Sequence, residues 1–190
     1  GGKISIYSND DGIHADGVLT ISDGIIDITK SYEGLEGLQV IINNGDISIV
    51  SSDDGINSTA TSGQGIVIDG GNLYILAGGD GLDSNSRTAY SGIVFKGGKT
   101  VVISTSGGNS AIDTEAGYTY TSGSVLAIMP NGGMTSEATH CSNFSSVAKK
   151  ISMSLSSGKT LTVSVSNSAI LSVKIPCNLS AIVILSLIHI

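Results

Sequence analysis

Short stretches of alternating apolar and polar residues recur along the first two thirds of the chain. Each is followed by a polar turn that ends in an acidic residue, glycine and Ile or Leu. The three clearest copies read ISIYSNDDGIHA from residue 4, ISIVSSDDGINS from residue 47 and LYILAGGDGLDS from residue 73. Alternation with a period of two predicts half-buried β-strands, and no stretch has the 3.6-residue rhythm of an amphipathic helix.

The glycine of this turn returns at a nearly constant distance. Gly12, Gly34, Gly55 and Gly81 are 22, 21 and 26 residues apart, and Ala111 stands at the equivalent position 30 residues later. A repeat of this length without helices predicts a parallel β-solenoid. A β-sandwich gives no reason for one turn to recur at this period, and a propeller blade needs about 40–45 residues. We therefore predict an all-β fold, a right-handed parallel β-helix of roughly six coils.

Composition divides the chain into two parts of one domain. Residues 1–121 hold 15 of the 16 acidic residues and 5 of the 9 basic ones, whereas residues 122–190 are rich in Ser, Val and Ile. We expect acidic, glycine-rich β-helix repeats over 1–121 and further β coils over 122–190, with a truncated end. The apolar tail is too short to cross a bilayer as a helix, which takes about 20 residues. Cys141 and Cys177 are expected either as free thiols or as a disulfide.

Stacked coils turn the repeated acids into columns, because equivalent residues lie about 4.8 Å apart along the axis. A single Asp-Gly pair is an ordinary turn in which glycine takes a positive φ. Several such turns in register instead place like charges close together, and cations relieve their repulsion. Oxygen ligands predominate, which favours calcium over zinc or copper. The predicted calcium ligands are Asp10, Asp11, Glu33, Asp53, Asp54, Asp80 and Asp83.

Other functions find less support in the sequence. The net charge of −7 argues against nucleic-acid binding, which requires a basic surface. No catalytic residues are predicted, because no nucleophile elbow or phosphate loop occurs. Among the available bases Arg87 lies closest in sequence to the acidic turn of Asp80 and Asp83, and one base near an acid is expected by chance. Tyr7 and Tyr74 are interpreted as equivalent repeat positions that either form a row for sugar stacking or cover a strand face.

The repeats resemble a known family. The turns NDDGIHA and SDDGINS, each after a strand of the form GG/NG-x-I-S-I, are similar to those of the bacterial, surface-associated β-helical carbohydrate-binding domain family. The resemblance continues through GSVLAI at 123–128, GM at 133–134, GKTLTV at 158–163, IP at 175–176 and SAIVI at 180–184. It implies a pectate-lyase-like fold that binds calcium and acidic or cellulosic polysaccharides without cleaving them.

We therefore predict a non-catalytic, calcium-dependent module for plant-type polysaccharide, either acidic such as polygalacturonate or cellulosic. The alternatives are a pectate lyase on the same scaffold and a structural adhesin or stalk segment. The expected partner is a polysaccharide, with no nucleic acid and no membrane insertion. The expected location is secreted or on the bacterial cell surface, as part of a longer surface protein. The residues that touch the polysaccharide are not predicted.

Overall fold

The computed structural model describes residues 1–187, and almost all of its elements are β-strands. Parallel strands stack in successive coils. The coils comprise β1 (Lys3–Tyr7) and β2 (Ile13–Ile21), β3 (Ile25–Ser31) and β4 (Leu35–Ile42), β5 (Asp46–Ser51), β6 (Ile56–Ser58) and β7 (Ile66–Ile68), β8 (Asn72–Ala77), β9 (Leu82–Ser84) and β10 (Ile93–Phe95), and β11 (Lys99–Ser104), β12 (Ile112–Thr114) and β13 (Thr119–Tyr120). The predicted β-solenoid is confirmed, with about five turns in place of roughly six.

Each coil has three faces. The first face is a sheet that includes β1, β3, β5, β8 and β11 in that order, and the acidic turn leads from it to the second face. The first halves of β2 and β4 form the second face with β6, β9 and β12. The later halves of β2 and β4 form the third face with β7, β10 and β13.

Ladders of apolar side chains fill the interior of the coils. The Ile or Leu after each turn glycine is in register with its equivalents in the neighbouring coils, as the sequence predicts. This ladder consists of Ile13, Leu35, Ile56, Leu82 and Ile112, and all but Ile13 are fully buried. Burial of each such side chain stabilises the fold by about 1.5–3 kcal/mol. Tyr118 and Tyr120 are also fully buried in this core, so they serve packing.

After the fifth coil the chain leaves the regular repeat. β14 (Ser124–Met129) adds a sixth parallel strand to the first face, but a 3₁₀ helix (Gly133–Thr139) follows where the second face would continue. Beyond it lie the one-turn α1 (Phe144–Val147) and four further strands. These are β15 (Ala148–Leu155), β16 (Thr160–Val165), β17 (Ser168–Lys174) and β18 (Leu179–Ser186). Of the apolar tail, residues 188–190 lie outside the described part of the chain, and so does His189.

These last strands run antiparallel to their partners. β18 pairs with β14, and β15 pairs with β18 and forms the outer edge of the first sheet. β16 and β17 form a separate hairpin. The hairpin packs on the outward side of the first sheet, where it covers the apolar side chains of β11 and β14 in a second hydrophobic cluster. Cys141 and Cys177 are both free thiols. No helix within residues 1–187 is long and apolar enough to cross a membrane.

The turn glycines are required by the close approach of successive coils. None of Gly12, Gly34, Gly55 and Gly81 has a positive φ, so the usual reason for glycine in an Asp-Gly turn does not apply. A Cβ atom on Gly55 would lie well inside van der Waals contact with the carbonyl oxygen of Gly81 in the next coil. A Cβ atom on any of the other three would likewise come too close to the equivalent carbonyl oxygen of the next coil. Ala111 fits in the fifth coil because the next layer of the second face is a 3₁₀ helix and not another coil with the same turn.

Candidate functional site

The acidic turns stack into one column between the first and second faces. The amide of Gly34 donates to the carbonyl of Asp54 at 3.0 Å, and that of Gly55 donates to the carbonyl of Asp80 at 2.9 Å. These hydrogen bonds stack the residue before each turn glycine on the equivalent residue of the next coil. The column, which we call the turn column, consists of Asp11, Glu33, Asp54 and Asp80. Ser110 takes the position in the fifth coil, and its amide donates to Asp80 Oδ1.

A second column runs beside the first on the outward side of the second face. Its members lie three residues after those of the turn column and are paired rung by rung in the parallel sheet. This strand column consists of His14, Glu36, Asn57, Asp83 and Asp113. Asp83 lies close enough to Glu33, Asp54 and Asp80 for their charges to repel across the two columns. Asp53 repels Asp54 and Asp80 in the same way, so the structure brings five of the seven predicted ligands together.

Asp53 and Asp54 converge over Gly79, which has no side chain to separate them. A Cβ atom on Gly79 would lie 2.5 Å from Asp53 Oδ1 and 2.5 Å from Asp54 Oδ1. The space that a side chain would fill is therefore a cradle lined by two carboxylate oxygens. Asp54 Oδ1 is also held by the amide of Asp80 at 2.7 Å. Carboxylate oxygens around a small open space fit a hard cation such as calcium.

The side-chain oxygen of Asn57, a member of the strand column, has no hydrogen-bond partner in the described part of the chain. Its side chain is only 9% exposed, and Nδ2 donates to both carboxylate oxygens of Glu33, at 3.2 and 3.1 Å. Oδ1 has no hydrogen-bond partner among residues 1–187. A buried amide oxygen without a partner is costly, and calcium commonly takes such oxygens as ligands. The donor set at these columns is thus suited to calcium.

Burial and crowding raise the pKa values of the column acids. Desolvation, followed by repulsion from neighbouring carboxylates, raises the pKa of Glu33, Asp80 and Asp83 to about 7. The pKa values of Asp54 and Asp113 are raised for the same first reason. Without a cation, some of these acids therefore bind protons in the folded state at pH values where the unfolded chain would have released them.

We expect the metal-free protein to lose stability as the pH rises from about 4 to about 7. The folded pKa values lie above the unfolded ones near 4, so the native state holds more protons in that window and the free energy of unfolding falls with pH. His14 acts in the same direction at higher pH, because its folded pKa of about 8 exceeds 6.5. Urea denaturation in EDTA at several pH values measures this. Asp83→Asn should flatten the slope, and a stability that rises over the window would contradict the expectation.

The first coil ends the columns with a histidine. His14 Nδ1 lies 2.5 Å from Glu36 Oε2 and 3.4 Å from Asp11 Oδ2, and Nε2 lies 3.2 Å from Asp16. The hydrogen bonds to Asp16 and Glu36 raise the pKa of His14 to about 8. Asp11 is therefore grouped with this imidazole and is not next to Asp53 and Asp54. Asp10 is exposed, and the Tyr32 rung separates it from Asp53.

The fifth coil and the 3₁₀ helix after it carry acidic residues that the sequence interpretation missed. Glu115 and Glu137 line one cavity of about 390 Å³ together with Asp83 and Asp113. Glu115 could have been found, because it is two residues after Asp113 in the same repeat. Glu137 could not, because it belongs to the 3₁₀ helix that replaces a strand of the second face. The acidic surface therefore extends one coil beyond the predicted ligands.

Apart from His14 in the first coil, the two columns contain no basic residue. Arg87 lies in the loop between β9 and β10, where its amide donates to the carbonyl of Thr61. Lys96 is paired with Asp69 at 3.0 Å. The interpretation of Tyr7 and Tyr74 as equivalent positions is wrong. Tyr7 is opposite Lys30, whereas Tyr74 follows Ser48 in its own ladder, because Tyr7 is five residues before Gly12 and Tyr74 is seven residues before Gly81.

One comparison with known proteins gives a match. The family model described as carbohydrate-binding domain-containing protein matches residues 1–64 and, in an overlapping second match, residues 37–178. Together the two matches cover all five coils, the 3₁₀ helix and the hairpin. No curated protein and no solved structure matches the chain.

Proposed function

This chain belongs to the family of carbohydrate-binding domain-containing proteins, and on that premise we propose that it is a non-catalytic module that binds polysaccharide through calcium. The observation that carries the calcium dependence is the convergence of Asp53 and Asp54 oxygens over Gly79. The unpartnered Oδ1 of Asn57 supports it independently.

Asp53 and Asp54 would hold the ion, with Asn57, Asp80 and Asp83 as further oxygen donors of the two columns. Glu33 acts through Asn57, since its carboxylate orients the amide so that Oδ1 stays free of other partners. When bound, calcium offers open coordination positions to the carboxylates and hydroxyls of a sugar chain. The rigid coils keep the columns in place, so little ordering accompanies binding.

The charge of the protein supports this route to an acidic polymer such as polygalacturonate. A chain with a net charge of −7 repels uronate groups unless a cation lies between them. Extracellular calcium modules bind the ion at about 10⁻⁴–10⁻³ M, concentrations found outside cells. A secreted or surface-exposed position on a bacterium, within a longer surface protein, is part of the proposal.

Binding to polygalacturonate with and without EDTA tests this function. We expect the protein to be retained by the immobilised polymer in calcium and released by EDTA, because the carboxylates of the protein and the polymer then repel each other. The same mixture at alkaline pH should accumulate no unsaturated product absorbing in the ultraviolet, since elimination needs a positioned base. Retention that is unchanged in EDTA would contradict the proposal. Steady product formation abolished by Arg87→Ala would make the chain a lyase.

A further inference from the structure

A groove of about 450 Å³ runs along the outward side of the first sheet, next to the β16–β17 hairpin. The first, second, third, fourth and fifth coils contribute to its floor, and residues 170–172 of β17 form one wall. It lies on a different face of the solenoid from the acidic columns, which occupy the turn and the second face. None of the column residues lines it.

The hairpin creates this groove because it covers only part of the sheet. Outward positions of β11 and β14 are apolar and lie beneath the hairpin, as Val101, Ile103, Leu126 and Ile128 show. The ladder of Leu126 and Val101 continues through Tyr74 into the earlier coils. There it becomes polar, at Ser48, Asp27 and Ser5. The hairpin ends where the outward residues of the sheet change from apolar to polar, and it leaves a cleft along its side.

The groove combines apolar surfaces with a row of polar groups. Tyr74 and Ile170 are half-buried and Ile25 is 46% exposed, so carbon faces are open to a ligand. Ile25 shares a single ladder of outward residues with the polar groups, and this ladder runs from the first coil to the fifth. Its members are Lys3, Ile25, Asp46, Asn72 and Lys99. At about 4.8 Å a step, this ladder spans roughly 19 Å.

The wall of the groove offers further hydrogen-bonding groups. Residues 170–172 of β17 form the wall, and within the described chain β17 pairs only with β16, so its other edge has no strand partner. The Asn72 amide donates to Asp46 Oδ1 at 2.7 Å, which leaves the second Asp46 oxygen for another donor. Lys3 and Lys99 balance Asp27 and Asp46 among the lining residues, so the groove has no net formal charge.

We propose that this groove is a second carbohydrate site, which takes one uncharged pyranose chain along the solenoid axis and does not need calcium. Apolar pockets with a few convergent polar groups are typical ligand sites, and pyranose rings present C–H faces ringed by hydroxyls. The rings pack on Tyr74, Ile25 and Ile170, while the ladder of Asp46, Asn72 and the lysines bonds the hydroxyls. The proposal rests on the proposed function only in that both ligands are carbohydrates.

Titration with cellohexaose in EDTA tests the second site. We expect the unmodified protein to bind it, and Tyr74→Ala to weaken binding about tenfold, which corresponds to about 1.4 kcal/mol, because the sugar ring loses the aromatic face on which it packs. Asn72→Ala should weaken it as well, without touching the hydrophobic cluster under the hairpin. Tyr7→Ala is the matched control, because Tyr7 is 73% exposed on the same sheet and does not line the groove.

The outcomes separate this proposal from the calcium-dependent one. Retention by polygalacturonate in calcium should persist in Tyr74→Ala and Asn72→Ala, and cellohexaose binding should persist in the Asp53→Asn/Asp54→Asn variant. Cellohexaose binding that is absent in EDTA, or that is equal in Tyr7→Ala, Asn72→Ala and Tyr74→Ala, overturns the groove site and leaves the calcium proposal standing. If the unmodified protein binds cellohexaose in EDTA but is not retained by polygalacturonate in calcium, the calcium proposal is overturned and the groove site stands.

Discussion

Calcium at 100 times its dissociation constant should raise the free energy of unfolding by about 2.7 kcal/mol for each site it fills. The ion binds the folded columns, where Asp53 and Asp54 converge, and has few organised ligands in the unfolded chain. It also replaces the protons that buried acids hold in its absence. Urea denaturation in calcium and in EDTA measures the difference at a fixed pH near 7. Equal midpoints in the two conditions would contradict the calcium assignment.

Two paired variants locate the effect. Asp53→Asn/Asp54→Asn should remove most of the calcium-dependent stabilisation, because the cradle over Gly79 then lacks both charges. Asp69→Asn should retain it, since Asp69 lies outside the columns and pairs with Lys96. Isothermal titration with calcium gives the affinities of the same proteins. Similar losses in both would mean that net charge alone attracts the ion and would refute a built site.

Gly55→Ala should destabilise the fold by about 3 kcal/mol, the upper part of the usual range for overpacking. Its new methyl group would be forced against Ile75 and the carbonyl oxygen of Gly81, both of which are fixed in the next coil. Relief requires the coils to move apart, which breaks the hydrogen bonds of the turn column on either side. Thermal and urea denaturation of the purified variant give the size of the loss.

Gly17→Ala provides the matched control for this substitution. Gly17 also lies in a β-strand region and has a φ outside the positive range, but a Cβ atom there would meet nothing within 4 Å. We expect a change within about 0.5 kcal/mol, as for most surface positions. If both variants unfold at the same denaturant concentration, the close approach of the coils at Gly55 is not what requires glycine there.

The repeated part of the chain could be predicted because each coil repeats both its spacing and its chemistry. The ladder from Ile13 to Ile112 follows directly from the residue after each turn glycine. The two columns follow from the same alignment, since strands in register place equivalent residues on adjacent rungs. Tyr7 and Tyr74 share a residue type but not a distance from the turn glycine, and only that distance determines which residues share a ladder.

The C-terminal third could not be predicted in the same way. The 3₁₀ helix occupies a place that a sixth strand would take, and no repeat in the sequence marks its start. The β16–β17 hairpin folds back on coils that lie more than 50 residues earlier, so its position depends on non-local contacts such as that of Leu171 with the Val101 cluster. The groove and the contribution of Glu137 both depend on this long-range packing.

β15 also determines how the first sheet behaves towards other molecules. An exposed edge strand offers unpaired backbone groups that can recruit another chain, and proteins commonly prevent this with lysines and irregular pairing. β15 carries exposed Lys149 and Lys150 and has a register shift between Ser152 and Leu155. Two neighbouring positive charges would repel a second copy of the same edge, and the shift interrupts a straight template. This antiparallel border therefore offers a second chain a poor template for extending the sheet.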